Sequence, residues 1–407
     1  MGGIKYFVYF FYLPIILIIR VIAKFYLLRF GEIESSRIGH FACCTEMYLC
    51  EKDYKINIPK IKYLDLFILG RKVCNKQISI HIKRKLIILP RIILGPLISL
   101  NSIIPGGKKH NCFLRKDLKQ TKTFFDHRDT NNLLDISKKH FEFKNKEVFQ
   151  ARKTCEKIGI NLYKKIVVIN LRDNHYFNKH HANKNLDRDY VKNCNIDDYK
   201  EAIQDLTNSD YQVIRIGKGS TKQLSIYIDN FFDLTNHHLR TDLLELYLTE
   251  KSSFMIGCNS GGTYAPLFLF RKPTYISNFL PLGVAYMNSN KILINFKSII
   301  SKKTNRILSM SDIYNERLFS YEFTKEYREK NLMFKDIDPI IIRQSVNEIK
   351  LRTENKWIIS DHEKALESKF IKKYSEILKK DDKDFYHGKI KCHFGFDYLK
   401  ANEKFII

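Results

Sequence analysis

The segment with the most chemical content runs Phe254-Met255-Ile256-Gly257-Cys258-Asn259-Ser260-Gly261-Gly262-Thr263. A short apolar run of strand character leads into a small, polar, glycine-rich turn, and a stretch of helical length follows. In a parallel sheet such a turn opens at the carboxyl edge, where ligands bind. The N–H groups of Ser260, Gly261 and Gly262 have no helical partner at a helix start, and their partial positive charge suits a diphosphate. Glycine lets a phosphate approach the backbone. The same residues also describe an ordinary strand-to-helix turn capped by Ser260. Both readings stand at this point.

A second segment, Ile169-Asn170-Leu171-Arg172-Asp173-Asn174-His175, closes the apolar run that begins at Lys165. The guanidinium of Arg172 can fork onto a phosphate. Asp173 and His175 are candidate general bases or groups that hold a substrate substituent. The plain alternative is an Arg–Asp surface pair. A third segment, Arg37-Ile38-Gly39-His40 followed by Glu46, has the form of a strand-to-loop turn in another half, with His40 or Glu46 as cleft-facing groups. The alternative is a buried histidine and a helix carboxylate.

Other patterns fall short. Gly217-Lys218-Gly219-Ser220-Thr221 lacks the phosphate-loop spacing, since position 212 is Gln. Asp187-Arg188-Asp189 and Asp336-Ile337-Asp338 are common triplets, and neither follows a clear strand. His175, His180 and His181 have no acidic or thiol partner at metal-ligand spacing. No metal site is expected.

Positioning these residues takes alternating strands and helices. The second half reads as helix 149–162, strand 165–171, helix 197–206, strand 211–216, helix 240–248, strand 253–257, helix 261–270 and strand 274–277. Strands separated by helical stretches imply a parallel sheet with crossovers. Between 34 and 150, apolar runs at 61–69, 78–82, 86–89 and 92–100 alternate in the same way. The tail from Asp338 is helical and charged.

The chain has 407 residues, 44% hydrophobic and 28% charged, enough for two cores. Its 70 Lys and Arg against 44 Asp and Glu give +26, which points to anionic partners, or to a compositional bias toward Ile, Lys and Asn. The charge is scattered, without the basic–aromatic runs of a nucleic-acid groove, so no nucleic acid is expected. Nine cysteines without CxxC spacing read as free thiols. Residues 6–19 form an apolar run, too short for a bilayer-crossing helix. Residues 4–30 are therefore expected to lie in the membrane surface as an in-plane or re-entrant anchor, with Arg20, Lys24 and Arg29 on lipid phosphates. A buried first helix is the alternative.

From Val167 to Leu282 the chain resembles bacterial surface-polysaccharide glycosyltransferases with two Rossmann-like halves, in particular a group encoded in polysaccharide gene clusters. The residues that carry the likeness are Leu171-Arg172-Asp173; Lys192-Asn193-Cys194-Asn195-Ile196-Asp197-Asp198-Tyr199 through Ala202-Ile203; Val213-Ile214-Arg215-Ile216-Gly217; Asp233-Leu234; Leu239-Arg240-Thr241-Asp242; Phe254 to Gly261; and Asn278-Phe279-Leu280-Pro281. Arg37-Ile38-Gly39-His40, Glu46, Asp338-Pro339 and Val346-Asn347-Glu348-Ile349 extend it. Lys192 departs from the group's usual Arg.

The resemblance implies an α/β fold of GT-B type, with two Rossmann-like domains facing a cleft and an N-terminal apolar anchor helix. The implied divisions are an anchor at 1–33, an acceptor domain at 34–155, a nucleotide-sugar domain at 156–345 and C-terminal helices at 346–407 packing back across the domains. It implies hexosyl- or fucosyl-type transfer, without a metal, to a lipid-linked glycan at the cytoplasmic face of the membrane. Arg172, Ser260 and Gly261, with Arg215 and Asn259, would hold the donor diphosphate. Gly39 and His40 would lie on the acceptor side. Glu46 is the expected base, with Asp173 and His175 behind it. A non-catalytic membrane-associated protein that binds a nucleotide or anionic polymer is the competing reading.

Overall fold

The computed structural model describes residues 2–112, 128–173, 190–220, 222–321, 324–380 and 387–406. The chain forms two compact units: residues 1–127 with 140–142, and residues 128–139 with 143–407. The expected boundary at 155 thus moves N-terminally, and the tail helices belong to the second unit.

The first unit begins with α1 (Gly2–Ile22) and β1 (Tyr26–Ile33). It continues through α2 (Ile38–Asp53), β2 (Lys62–Leu69), α3 (Lys76–Lys85), β3 (Ile87–Ile88) and α4 (Arg91–Ile103). The three strands are parallel, in the order β1-β2-β3. The segment expected to be one anchor therefore divides into a helix and a sheet strand. Arg29 is not on lipid: it is buried on β1, directly opposite Asp65 of β2. Its Nε and Nη2 donate to the two Asp65 oxygens at 2.6 and 2.7 Å, and the Tyr48 hydroxyl donates to the same carboxylate at 2.5 Å. A buried ion pair survives when both partners are hydrogen-bonded in this way. Arg20 is also engaged, donating to Asn101 Oδ1 of α4 at 2.7 Å.

Helix α1 has two apolar sides. Ile16 and Ile19 pack with Leu94, Leu97 and Leu100 of α4. Phe7, Phe10, Phe11, Leu17, Ile18 and Val21 are exposed. Among the described residues, no helix is long and apolar enough to cross a membrane.

The second unit is built on α5 (Leu133–Ile136), α6 (Asn145–Ile158), β4 (Lys165–Asn170), α7 (Lys200–Asn208), β5 (Tyr211–Arg215) and β6 (Phe231–Asp233). Then follow α8 (Asp242–Lys251), β7 (Phe254–Gly257), α9 (Gly261–Phe270), β8 (Thr274–Phe279) and β9 (Ile292–Phe296). After a small antiparallel pair, β10 (Ser298–Ser301) with β11 (Leu332–Lys335), come α10 (Pro339–Thr353), α11 (Asp361–Lys379) and β12 (His393–Phe394).

The main sheet runs β12-β9-β8-β7-β4-β5-β6, with every pair parallel. Continuous apolar strands such as Lys165–Asn170 suit a sheet covered on both faces. Ile166 and Val168 point to one face, where they pack with Ala151 and Cys155 of α6 and with Leu244, Tyr247 and Leu248 of α8. Helices α7 and α10 pack against each other and against the strands. From β6 to β9 the order is that of a doubly wound α/β sheet, and it reverses direction between β4 and β7.

Candidate functional site

The strand order fixes where a ligand crevice opens: outside the carboxyl ends of β4 and β7, where successive crossovers diverge. Asn170 and Gly257 are paired in register at those ends. Arg172 lies two residues beyond Asn170, and Ser260 three beyond Gly257. The loops touch. The Arg172 N–H donates to the Cys258 thiol at 3.2 Å, and the Ser260 hydroxyl donates to Asn170 Oδ1 at 3.0 Å. Arg172 and Ser260 are both half-buried.

Asn170 joins three strand ends. Besides receiving Ser260, its Nδ2 donates to the Ile216 carbonyl after β5 at 3.1 Å. Its sequence signal was a polar residue closing an apolar strand, and the sequence reading assigned it no role. Gly262 is required beside it, because a Cβ there would lie 2.4 Å from Asn170 Oδ1.

Ser260 is the N-cap of α9, accepting from the Thr263 N–H at 3.3 Å. The cap and the anion reading coexist here, since the hydroxyl serves the helix while the first-turn amides of the ten-residue helix face the crevice end of the sheet. Asn259 is spent on structure: it donates to the Leu280 carbonyl at 2.5 Å and accepts from the Tyr264 hydroxyl at 3.0 Å.

Arg215 does not fit the donor role expected of it. It is 2% exposed and lies opposite Asp233 in register. It donates to Asp233 Oδ2 at 2.9 Å, to the Lys222 carbonyl at 2.6 Å and to the Ser220 hydroxyl at 2.6 Å. Ser220 in turn donates to Asp173. Arg215 therefore anchors the loop after β5 and, through Ser220, positions the half-buried Asp173 beside Arg172. His175, Asp187-Arg188-Asp189 and His180-His181 lie outside the described residues.

Cys258 accepts hydrogen bonds from both Cys194 and the Arg172 N–H, which together hold its thiol below the ordinary value. The donor role and burial push Cys194 well up. The Cys194 N–H donates to the Arg172 carbonyl at 3.0 Å, so this residue of the loop before α7 fixes Arg172 from behind. Neither cysteine carried a role in the sequence reading.

In the first unit, Gly39 and His40 are half-buried in the first turn of α2, with His40 Nδ1 3.9 Å from Cys44 Sγ. Glu46 corrects the expectation of an exposed base. It is 1% exposed, and Oε1 lies 3.0 Å from His140 Nδ1. Asp53 Oδ2 lies 3.1 Å from His140 Nε2. Burial alone would push His140 down, but hydrogen bonds to Cys50 and Glu46 and the Glu46 charge raise it to about 10.

No family model and no curated protein matches the chain. Among solved structures, it is similar to a glycosyl transferase family 9 protein from Veillonella parvula, with TM-score 0.45 and 9% identity, covering 81% of this chain and 98% of that one. It is also similar to the ADP-heptose lipopolysaccharide heptosyltransferase II of E. coli, with TM-score 0.43 and 11% identity, covering 80% and 100%.

Proposed function

We propose that the chain is a glycosyltransferase whose second unit holds the diphosphate of a nucleotide sugar at the β4/β7 switch point. One observation carries the reading: a guanidinium loop and an amide-rich helix start meet at the ends of adjacent parallel strands, tied by the Arg172–Cys258 and Ser260–Asn170 hydrogen bonds. The ordered motif series from Leu171 to Pro281 supports the same class of enzyme.

In this reading the Gly261 and Gly262 amides and Arg172 neutralise charge that develops on the leaving nucleoside diphosphate, the Ser260 N–H being held by the Cys258 carbonyl at 2.7 Å. Asp173 is the carboxylate that accepts the acceptor hydroxyl proton, and its position beside Arg172 supports this. The acceptor is a lipid-linked glycan. The exposed apolar side of α1 rests on the cytoplasmic surface of the membrane that carries it.

The test is nucleotide release from a panel of nucleotide sugars, with and without lipid-linked acceptors. Release that depends on Arg172 supports the transferase. Nucleotide bound at this site without release on any donor would instead make the chain a binding protein.

A further inference from the structure

We propose that Glu46, Cys50 and His140 are three ligands of a structural Zn(II) site in the first unit. Glu46 and Cys50 lie four residues apart on α2 and so share a face. His140 comes from the short segment 140–142, which belongs to the first unit although the chain on either side belongs to the second.

The ligand atoms of Glu46, Cys50 and His140 all lie within 4.8 Å of one another, and all three residues are buried. Cys50 Sγ is 3.8 Å, and His140 Nδ1 3.0 Å, from Glu46 Oε1. Tetrahedral zinc with bonds of ~2.0–2.1 Å to N or O and ~2.3 Å to S sets its ligands about 3.3–3.6 Å apart. The Cys50–Glu46 and Glu46–His140 separations are therefore each within a few tenths of an ångström of those around the ion. Nitrogen, oxygen and thiolate sulfur together select zinc over magnesium or calcium. A thiolate and a carboxylate cancel the ion's charge, so the buried centre is neutral.

Two further features are those of a built site. Asp53 lies on the outer side of the imidazole, 3.1 Å from Nε2, the place of the carboxylate that orients a metal-binding histidine and turns Nδ1 inward. His81 is 3% exposed, its Nε2 has no hydrogen-bond partner, and its ring stacks on Phe141, the neighbour of His140, at 4.3 Å. The ion would fasten the segment 140–142 to α2.

The test uses the full chain stripped with a chelator and titrated with Zn(II) or Co(II). One metal per chain is expected, with a thiolate-to-cobalt charge-transfer absorption and a raised melting temperature. Cys50→Ser should lose the absorption and Cys74→Ser should keep it. Asp53→Asn, an exposed change that leaves the fold alone, should weaken affinity about 10- to 100-fold. A wild-type chain that binds neither metal at one equivalent, absorption that persists in Cys50→Ser, or unchanged affinity in Asp53→Asn overturns the proposal.

Discussion

The backbone N–H of Arg172 donates to the thiol of Cys258 at 3.2 Å, so the loops that follow β4 and β7 are joined by a bond that leaves the Arg172 side chain out of the link. The main chain of Arg172 is held by Cys258 on one side and by Cys194 on the other. Replacing its side chain by alanine keeps both bonds. Arg172→Ala should lower nucleotide-sugar turnover about 10²- to 10³-fold, the usual loss for one donor to a developing charge, with an unchanged melting temperature. Full turnover in this variant removes Arg172 from the site.

Arg215 should behave in the opposite way. Its guanidinium is buried and holds Asp233 and Ser220. Arg215→Ala removes the bonds to Asp233, Ser220 and the Lys222 carbonyl and should cost about 3 kcal/mol, the low end for breaking a buried pair. Urea unfolding reads this directly. A stable Arg215→Ala protein with selective loss of donor binding would restore the donor role.

Gly262→Ala tests the scaffold beneath the crevice. The added methyl meets the Asn170 side chain, 2.4 Å from Oδ1 and 2.8 Å from Cγ, so the amide must swing away. Asn170 would lose its hold on the Ser260 hydroxyl and the Ile216 carbonyl together. Nucleotide affinity should fall more than for Ser260→Ala, which removes one cap at a cost of about 1 kcal/mol. Isothermal titration of both variants with the same nucleoside diphosphate decides it. Equal affinities would show that the three strand ends do not act through Asn170.

What the sequence made legible was local. The turn 258–263 and the helix limits of α9 follow from glycines and a serine placed after a buried strand. Where a local signal was passed over, the reading slipped: a helix expected over 149–162 ends at Ile158, because Gly159 takes the left-handed conformation at φ 87° and caps it. Non-local pairing was not legible. Arg29 and Arg215 each lie on a strand opposite an aspartate of the next parallel strand, 36 and 18 positions further on. An arginine whose partner is in register but distant in sequence reads as available for an anion. Glu46 was misread for the same reason, since His140 is 94 positions away.

The division of residues 4–30 changes how membrane binding is tested. Removing the whole segment would delete most of β1 and the Ile16 and Ile19 packing, and so unfold the first unit. Substitution on the outer side of α1 avoids this. Phe10 is 73% exposed, and Phe11 also faces outward. Phe10→Ser with Phe11→Ser should lower sedimentation with anionic vesicles several-fold while leaving the melting temperature in place, because neither ring is in the α1–α4 core. Each buried ring would otherwise contribute about 1.5–3 kcal/mol of partition energy. Undiminished sedimentation would move the contact elsewhere on this +26 chain.

Acid should loosen the second unit through Glu354. This carboxylate, at the end of α10, accepts from Lys165 at 2.6 Å, from Tyr211 at 2.8 Å and from Lys356 at 2.9 Å. Lys165 and Tyr211 face each other in register at the starts of β4 and β5, so one side chain ties the helix end to both strands. The hydrogen bonds from Lys165, then Lys356 and Tyr211, hold the carboxyl at about 2, against an ordinary 4.5. The folded-state pKa is lowered, so the carboxylate's contribution is fully present above the unfolded-state value and is lost as pH falls through 4.5 toward 2. Glu354→Gln should therefore be less stable than wild type at pH 7, and the gap should close across that window. Parallel denaturant titrations from neutral to acid pH measure the gap. A gap that stays constant down to the lowest pH at which both proteins fold would mean that the three bonds act as neutral hydrogen bonds, with no share for the charge.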